Sequence, residues 1–175
     1  ESGEVQAAMD RLADVYEHDG GLWLRTSAQG DHKDRVLRRS NGEWTYYASD
    51  IAYHVHKIGR DYDRAIDVWG PDHHGHVTRM KIAWELLGGD PGAYEIIIMG
   101  LVNLTESGDR MKVSKRAGAI VTLDELIDEI GVDAARWFLA SRSHDSPIEI
   151  DLALARSESQ DNPVYYVQYA HARIA

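Results

Sequence analysis

The chain has 175 residues, 43% hydrophobic and 27% charged, with a formal net charge of −10. That length suits one domain or one large piece of a protein, and that composition builds a core, which argues against intrinsic disorder. No stretch approaches 18 apolar residues, Glu1-Ser2-Gly3-Glu4 is no signal region, and cysteine is absent, which excludes disulfides, thiolate catalysis and zinc–thiolate sites and points to an intracellular protein without a membrane span.

Apolar spacing predicts a helix over residues 4–18, with Val5, Ala8, Leu12 and Val15 on one face and Gly20-Gly21 as its stop. Leu22–Arg25 reads as a short strand, and residues 26–34 as a polar loop. Arg35–Arg39 and Glu43–Tyr47 flank Ser40-Asn41-Gly42, where Asn-Gly is a strong hairpin signal. Ser49 is expected to cap a helix running to about Lys57. Ala65–Trp69 is a short buried strand. After it come Gly70-Pro71-Asp72-His73-His74-Gly75, a helix from about His76 to Leu87, and a second apolar strand over Tyr94–Met99. Strand, helix and strand of these lengths make a βαβ unit. Thr122 and Glu125 form a capping box for a helix that stops at Gly131. Asp133, Asp151 and Asn162-Pro163 open three more. The middle of the chain is thus α/β, and its C-terminal third is expected to be helical.

Charge is distributed unevenly. Residues 1–20 carry six acids and one base, and residues 117–175 carry ten acids and four bases. Between them Arg110, Lys112, Lys115 and Arg116 occur with no acid over residues 110–116. The overall acidity excludes a sequence-wide basic surface for nucleic acid but leaves room for a local patch.

Three places could carry chemistry. In open α/β sheets ligands sit outside the carboxyl ends of the strands, which selects the turn after Trp69. Asp72-His73-His74 matches the triplet of metal-dependent phosphoesterases, which would need further carboxylates, such as Asp61 and Asp63, to hold two metals. His73–His76 also fits H-x-G-H, a nucleotide-binding signature of class I synthetases and small nucleotidylyltransferases. Alternatively these side chains only cap the helix and line a polar loop. The second place is the run from Arg110 to Gly118, where two lysines flank Ser114. Mobile ammonium groups suit polyphosphate, although a solvated basic loop would look the same. The third is Tyr46 with Asp50. A carboxylate in the first turn of a helix is favoured by the helix dipole alone, so a plain helix-end role stays open.

Taken in order, these segments resemble the later part of the catalytic domain of bacterial class I arginyl-tRNA synthetases. The resemblance runs through Leu22–Ser27, Gly30–Leu37, Thr45–His54, Asp67–Gly75, Leu101–Leu104, Val113–Gly118 and Asp161–Arg173, nearly the whole chain. It implies an α/β fold: the second half of a Rossmann-like class I synthetase nucleotide-binding fold, with a β-hairpin insertion and a helical C-terminal segment. Residues 1–150 would be a partial catalytic domain, and residues 151–175 the helical start of the anticodon-binding domain.

The resemblance implies activation of arginine by ATP to arginyl-adenylate and transfer to tRNA(Arg), in the cytoplasm. ATP would act as a substrate with Mg2+, without a tightly bound protein metal. The family's KMSKS loop corresponds to Lys112-Val113-Ser114-Lys115-Arg116, with valine for methionine and arginine for the last serine. Lys115, helped by Lys112 and with Ser114 in the same loop, would stabilise the leaving pyrophosphate. Tyr46, Asp50 and His73 would line the arginine pocket, and Gly70, Asp72, His73 and His76 would face ATP. The family's own H-x-G-H lies earlier in its catalytic domain than any segment here. The chain is therefore expected to be a fragment, inactive by itself. The other readings are a small stand-alone nucleotidylyltransferase, the phosphoesterase, and a non-enzymatic binding module.

Overall fold

The computed structural model of the chain describes residues 2–110 and 121–175. They fall into two units, Glu1–Ile98 and Met99–Ala175.

In the first unit the helix expected over 4–18 ends early: α1 spans Ser2–Met9. The rest of that segment becomes β1 (Val15–His18), paired antiparallel with β2 (Gly21–Leu24). The reason is the dipeptide between them. Asp19 and Gly20 both take positive φ, 50° and 74°, and form a two-residue hairpin loop. Asp-Gly is a preferred sequence for such a loop because its twist matches that of the flanking strands. Local turn chemistry therefore overrides an apolar spacing that suits a helix.

β3 (Arg35–Arg38) completes a three-stranded sheet in the order β1-β2-β3. The turn at Asn41-Gly42 forms as expected: the Gly42 N–H donates to the Arg39 carbonyl at 2.9 Å, with φ +89° at Gly42. The return arm is not the strand expected over Glu43–Tyr47. It makes one bridge, Arg38 to Trp44, and then enters α2 (Tyr46–Ile58). Thr45 forces this early entry. Its hydroxyl oxygen accepts from the Ala48 N–H at 3.3 Å, and its own N–H donates to the Leu37 carbonyl at 2.9 Å. Thr45, not Ser49, is the cap.

β4 (Ala65–Trp69) and β5 (Tyr94–Ile98) pair in parallel, and α3 (Val77–Leu86) connects them after a 3-10 turn over Pro71–His76. This is the expected βαβ unit. α2 buries Tyr47, Ala48, Ile51 and Ala52 in a core shared with Met9, Leu37, Met80 and Trp84. Asp67 is buried in the middle of β4, while its neighbours Ile66 and Val68 are exposed.

The second unit is not purely helical. β6 (Val102–Glu106) lies between β7 (Asp109–Arg110), antiparallel, and β8 (Ile148–Asp151), parallel. β8 hides in the sequence because it is four residues long and its last residue doubles as a cap: the Asp151 carboxylate accepts from the Leu154 N–H at 3.0 Å. α4 (Leu123–Ala140) starts at the Thr122–Glu125 capping box and is broken at Gly131, where φ is 81° and ψ is 159°. That region is essentially restricted to glycine. α5 (Leu152–Arg156) and α6 (Pro163–Ile174) follow, α6 capped by Asn162. Leu104, Leu126, Ile130, Ile148, Ile150 and Val164 form this unit's core. Among the described residues no helix is long and apolar enough to cross a membrane.

Candidate functional site

The first unit presents two candidate surfaces near the carboxyl end of β4. One is the turn Gly70–His76. The Asp72 carboxylate folds back over Gly70, where an added Cβ would lie 2.7 Å from Asp72 Oδ1 and would push that exposed side chain aside. The His73 N–H donates to the Gly70 carbonyl at 3.0 Å. The His73 ring lies 6.0 Å from Trp69 and 5.8 Å from His76, centroid to centroid. Burial, together with Arg79, His73 and Arg35, pushes the His76 imidazole below its ordinary pKa. His76 is thus favoured as a neutral hydrogen-bonding group.

The other surface is the start of α2. Tyr46 is its first residue and is 89% exposed. Asp50 lies one turn further on. With Thr45 as the cap, Asp50 is outside the first turn, which removes the helix-end explanation for an acid there. Asp50 is exposed by surface area, yet neighbouring protein still pushes its carboxyl pKa up. His54 and His73 oppose that shift.

Beneath Asp50 lies a buried polar network that sequence reasoning did not identify. His54 Nδ1 lies 2.7 Å from the Asp50 carbonyl oxygen, and Nε2 lies 2.9 Å from Asp67 Oδ2. The Tyr94 hydroxyl donates to the same carboxylate oxygen at 2.6 Å, and Lys57 donates to the other. Burial disfavours the Asp67 carboxylate, but the bonds from His54, Lys57 and Tyr94 outweigh it and hold its pKa well below the usual range. The available signal was the acid within Ala65-Ile66-Asp67-Val68-Trp69, since a charge in a buried strand needs partners.

A second buried acid, Asp31, is 8% exposed and receives Arg35 Nε at 2.7 Å and Nη2 at 2.8 Å. This fork outweighs burial and lowers its pKa to about 2. Relative to an unfolded value near 3.9, that depression is worth about 2–3 kcal/mol. A depressed acid stabilises the fold above its unfolded pKa and loses that contribution as pH falls through the folded value. Wild-type chain should therefore lose stability progressively between about pH 5 and pH 1. Asp31→Asn should flatten that part of the profile, as urea midpoints measured against pH would report.

Lys112, Ser114 and Lys115 lie outside the described residues. The structure places Tyr46 and His76 on one cavity wall, and His73 beside His76. It separates the acids that the phosphoesterase reading needs. Asp61 and Asp63 precede β4, whereas Asp72 follows it. The five-residue strand between them spans about 13 Å, too far for one metal centre.

The sequence model of a family described as "tRNA synthetases class I (R), catalytic domain" matches residues 4–158. The chain belongs to the class I arginyl-tRNA synthetases. It is 53% identical to the arginine–tRNA ligase of Carboxydothermus hydrogenoformans over 99% of its length, and 51% identical to that of Listeria monocytogenes over all of it. It spans about a third of the length of these curated relatives, 32% in each case. A solved arginyl-tRNA synthetase structure from Campylobacter jejuni superimposes on 98% of this synthetase chain with a TM-score of 0.86 at 42% identity, and the chain covers 38% of it. The Thermus thermophilus arginyl-tRNA synthetase shares the fold, with a TM-score of 0.73 at 22% identity. The α/β catalytic fold with parallel strand pairing is therefore that of the family. Neither the phosphoesterase nor the stand-alone nucleotidylyltransferase reading gains support.

Proposed function

We propose that the chain supplies the arginine pocket and part of the ATP site of a cytoplasmic arginyl-tRNA synthetase. That enzyme activates arginine with ATP, carried as its magnesium complex, and transfers it to tRNA(Arg). The observation that carries this reading is Asp50. It is an acid on the α2 surface with no capping role, one turn from the exposed Tyr46. A carboxylate there offers the forked, charge-assisted hydrogen bonds that a guanidinium takes. Tyr46 and His73 border the same pocket. Gly70, Asp72, His73 and His76 face ATP, while Lys112, Ser114 and Lys115 meet the pyrophosphate, on which charge develops as it leaves. Residues 1–150 act as catalytic domain and residues 151–175 begin the anticodon-binding domain.

The relatives are about three times longer, so the 175-residue chain should bind ligand without turnover. The test is calorimetric titration with arginine and with ATP, followed by incubation with both and tRNA(Arg). Saturable arginine binding without appreciable charging is the expected result. Binding of ATP alone would favour a nucleotidylyltransferase, binding of neither a non-enzymatic module, and robust charging would overturn the inactive-fragment reading.

A further inference from the structure

Asparagine occurs three times in the sequence, at Asn41, Asn103 and Asn162. Spontaneous loss of its side-chain amide needs the backbone nitrogen of the next residue as nucleophile. Asn162 is followed by Pro163, which has no N–H to give up, and Asn103 by the bulky Leu104. Asn41 alone is followed by glycine, which has no side chain to shield that nitrogen. Asn41, Gly42 and Glu43 are all exposed, so water and hydroxide reach them.

The fold holds the two reacting groups in other bonds. The Gly42 N–H donates to the Arg39 carbonyl at 2.9 Å, and the Arg39 N–H donates to the Glu43 carbonyl, also at 2.9 Å. The Asn41 amide is tied at both its atoms. Oδ1 accepts from the Glu43 N–H at 3.1 Å, and Nδ2 donates to Glu43 Oε2 at 2.9 Å. An asparagine side chain bonded to the backbone two residues on fixes the local turn. The β1–β2 loop backs this turn, since a Cβ added at Gly20 would lie 3.5 Å from Ser40 Cβ. The turn leads directly into the Arg38–Trp44 bridge and into Thr45, the cap of α2.

We propose that Asn41 is a latent deamidation site, guarded by Glu43 and the Arg39–Glu43 turn in the folded chain and released when that turn opens. Hydroxide takes the proton of the Gly42 N–H, and the nitrogen lone pair bonds to Asn41 Cγ. The Cγ–Nδ2 bond then breaks, and Nδ2 leaves as ammonia with a proton from water, which regenerates hydroxide. Water opens the resulting cyclic imide at either carbonyl, giving aspartate or isoaspartate. The net change consumes a water and releases an ammonia, with no oxidation or reduction. Isoaspartate adds a methylene to the main chain, so the 39–43 pairing no longer closes the same loop. Either product replaces the amide donor to Glu43 with a second carboxylate, and neighbouring like charges are destabilising. Arginine and ATP play no part in this chemistry.

The test incubates the 175-residue chain in warm, mildly alkaline buffer with and without urea. Peptide mass mapping follows each asparagine, and isoaspartate methyltransferase labelling reports the rearranged product. In urea Asn41 should convert, while Asn103 and Asn162 persist. Native buffer should slow Asn41 at least about tenfold, because reaction then waits on opening of the turn. Glu43→Ala, an exposed change, should raise the native rate about two- to fivefold, as expected for losing weak surface hydrogen bonds, and leave the rate in urea unchanged. Asn41→Gln should remove the label from this peptide. Asn41→Asp should lower the melting temperature, since it installs one of the products. Equal rates of Asn41 conversion in native buffer and urea would overturn the guarding role of the turn. An unchanged native rate in Glu43→Ala would overturn that of Glu43. Persistence of Asn41 in urea would overturn the site itself.

Discussion

Asp67→Ala is expected to destabilise the first unit by about 3–5 kcal/mol, because removing one member of a buried ion pair leaves the other without compensation. The side chains of Lys57 and His54 that face Asp67 are only 15% and 4% exposed, so water cannot readily replace the carboxylate. Tyr94→Phe removes the hydroxyl that donates to Asp67 and lies 2.9 Å from His54 Nε2, and should cost about 2 kcal/mol. Its ring stays stacked on Trp84, 4.7 Å away. Urea unfolding at neutral pH, followed by tryptophan fluorescence, measures both. The pH dependence has a fixed sign. Because the Asp67 pKa is held down in the folded state, its contribution is fully present above the ordinary carboxylate range and lost only as pH falls below it. A loss below about 1 kcal/mol in Asp67→Ala would mean that solvent reaches Lys57 and His54, and that the network does not anchor α2.

Asp50→Asn separates recognition from stability. The substitution keeps the shape and removes the charge. Since Thr45 caps α2, helix stability should change by only a few tenths of a kcal/mol. If Asp50 meets the arginine guanidinium, the ligand is left with an uncompensated charge in a partly desolvated pocket. Breaking one side of such a pair costs about 2–5 kcal/mol, which is one to several orders of magnitude in affinity. ATP affinity and melting temperature should hardly move. Tyr46→Phe should produce a smaller loss of arginine affinity, about 1 kcal/mol, as one hydroxyl disappears.

The βαβ unit was legible because its signals are local and redundant. Ala65–Trp69 and Tyr94–Ile98 are short apolar runs, and punctuating glycines bound the helix between them. The caps at Thr122, Asp151 and Asn162 were legible for the same reason, since a side chain of the right type precedes each helix. Two elements were misread where signals competed. The heptad-like spacing of Val5 to Val15 suggests a helix that Gly20-Gly21 stops, but a hairpin forms because Asp19 and Gly20 accommodate positive φ and β2 is available to pair. Ser49 and Thr45 are both good caps, and only the bond from Thr45 to β3 selects between them. The candidate site divides in the same way. Tyr46, Asp50 and the Gly70 turn were visible as residue types at telling positions. The His54–Asp67–Tyr94 network joins residues up to 40 positions apart, a proximity that periodicity does not encode.

The account stands or falls on whether the Asp50 carboxylate reads the charge of a guanidinium. Citrulline has nearly the shape of arginine but a neutral ureido group. Calorimetric titration of both ligands into wild-type chain and Asp50→Asn therefore forms a double-substitution cycle across that one contact. The wild-type chain should prefer arginine over citrulline by one to several orders of magnitude. Asp50→Asn should bind the two alike, with citrulline affinity little changed from wild type. A preference for arginine that survives intact in Asp50→Asn would contradict the assignment of the arginine pocket to α2.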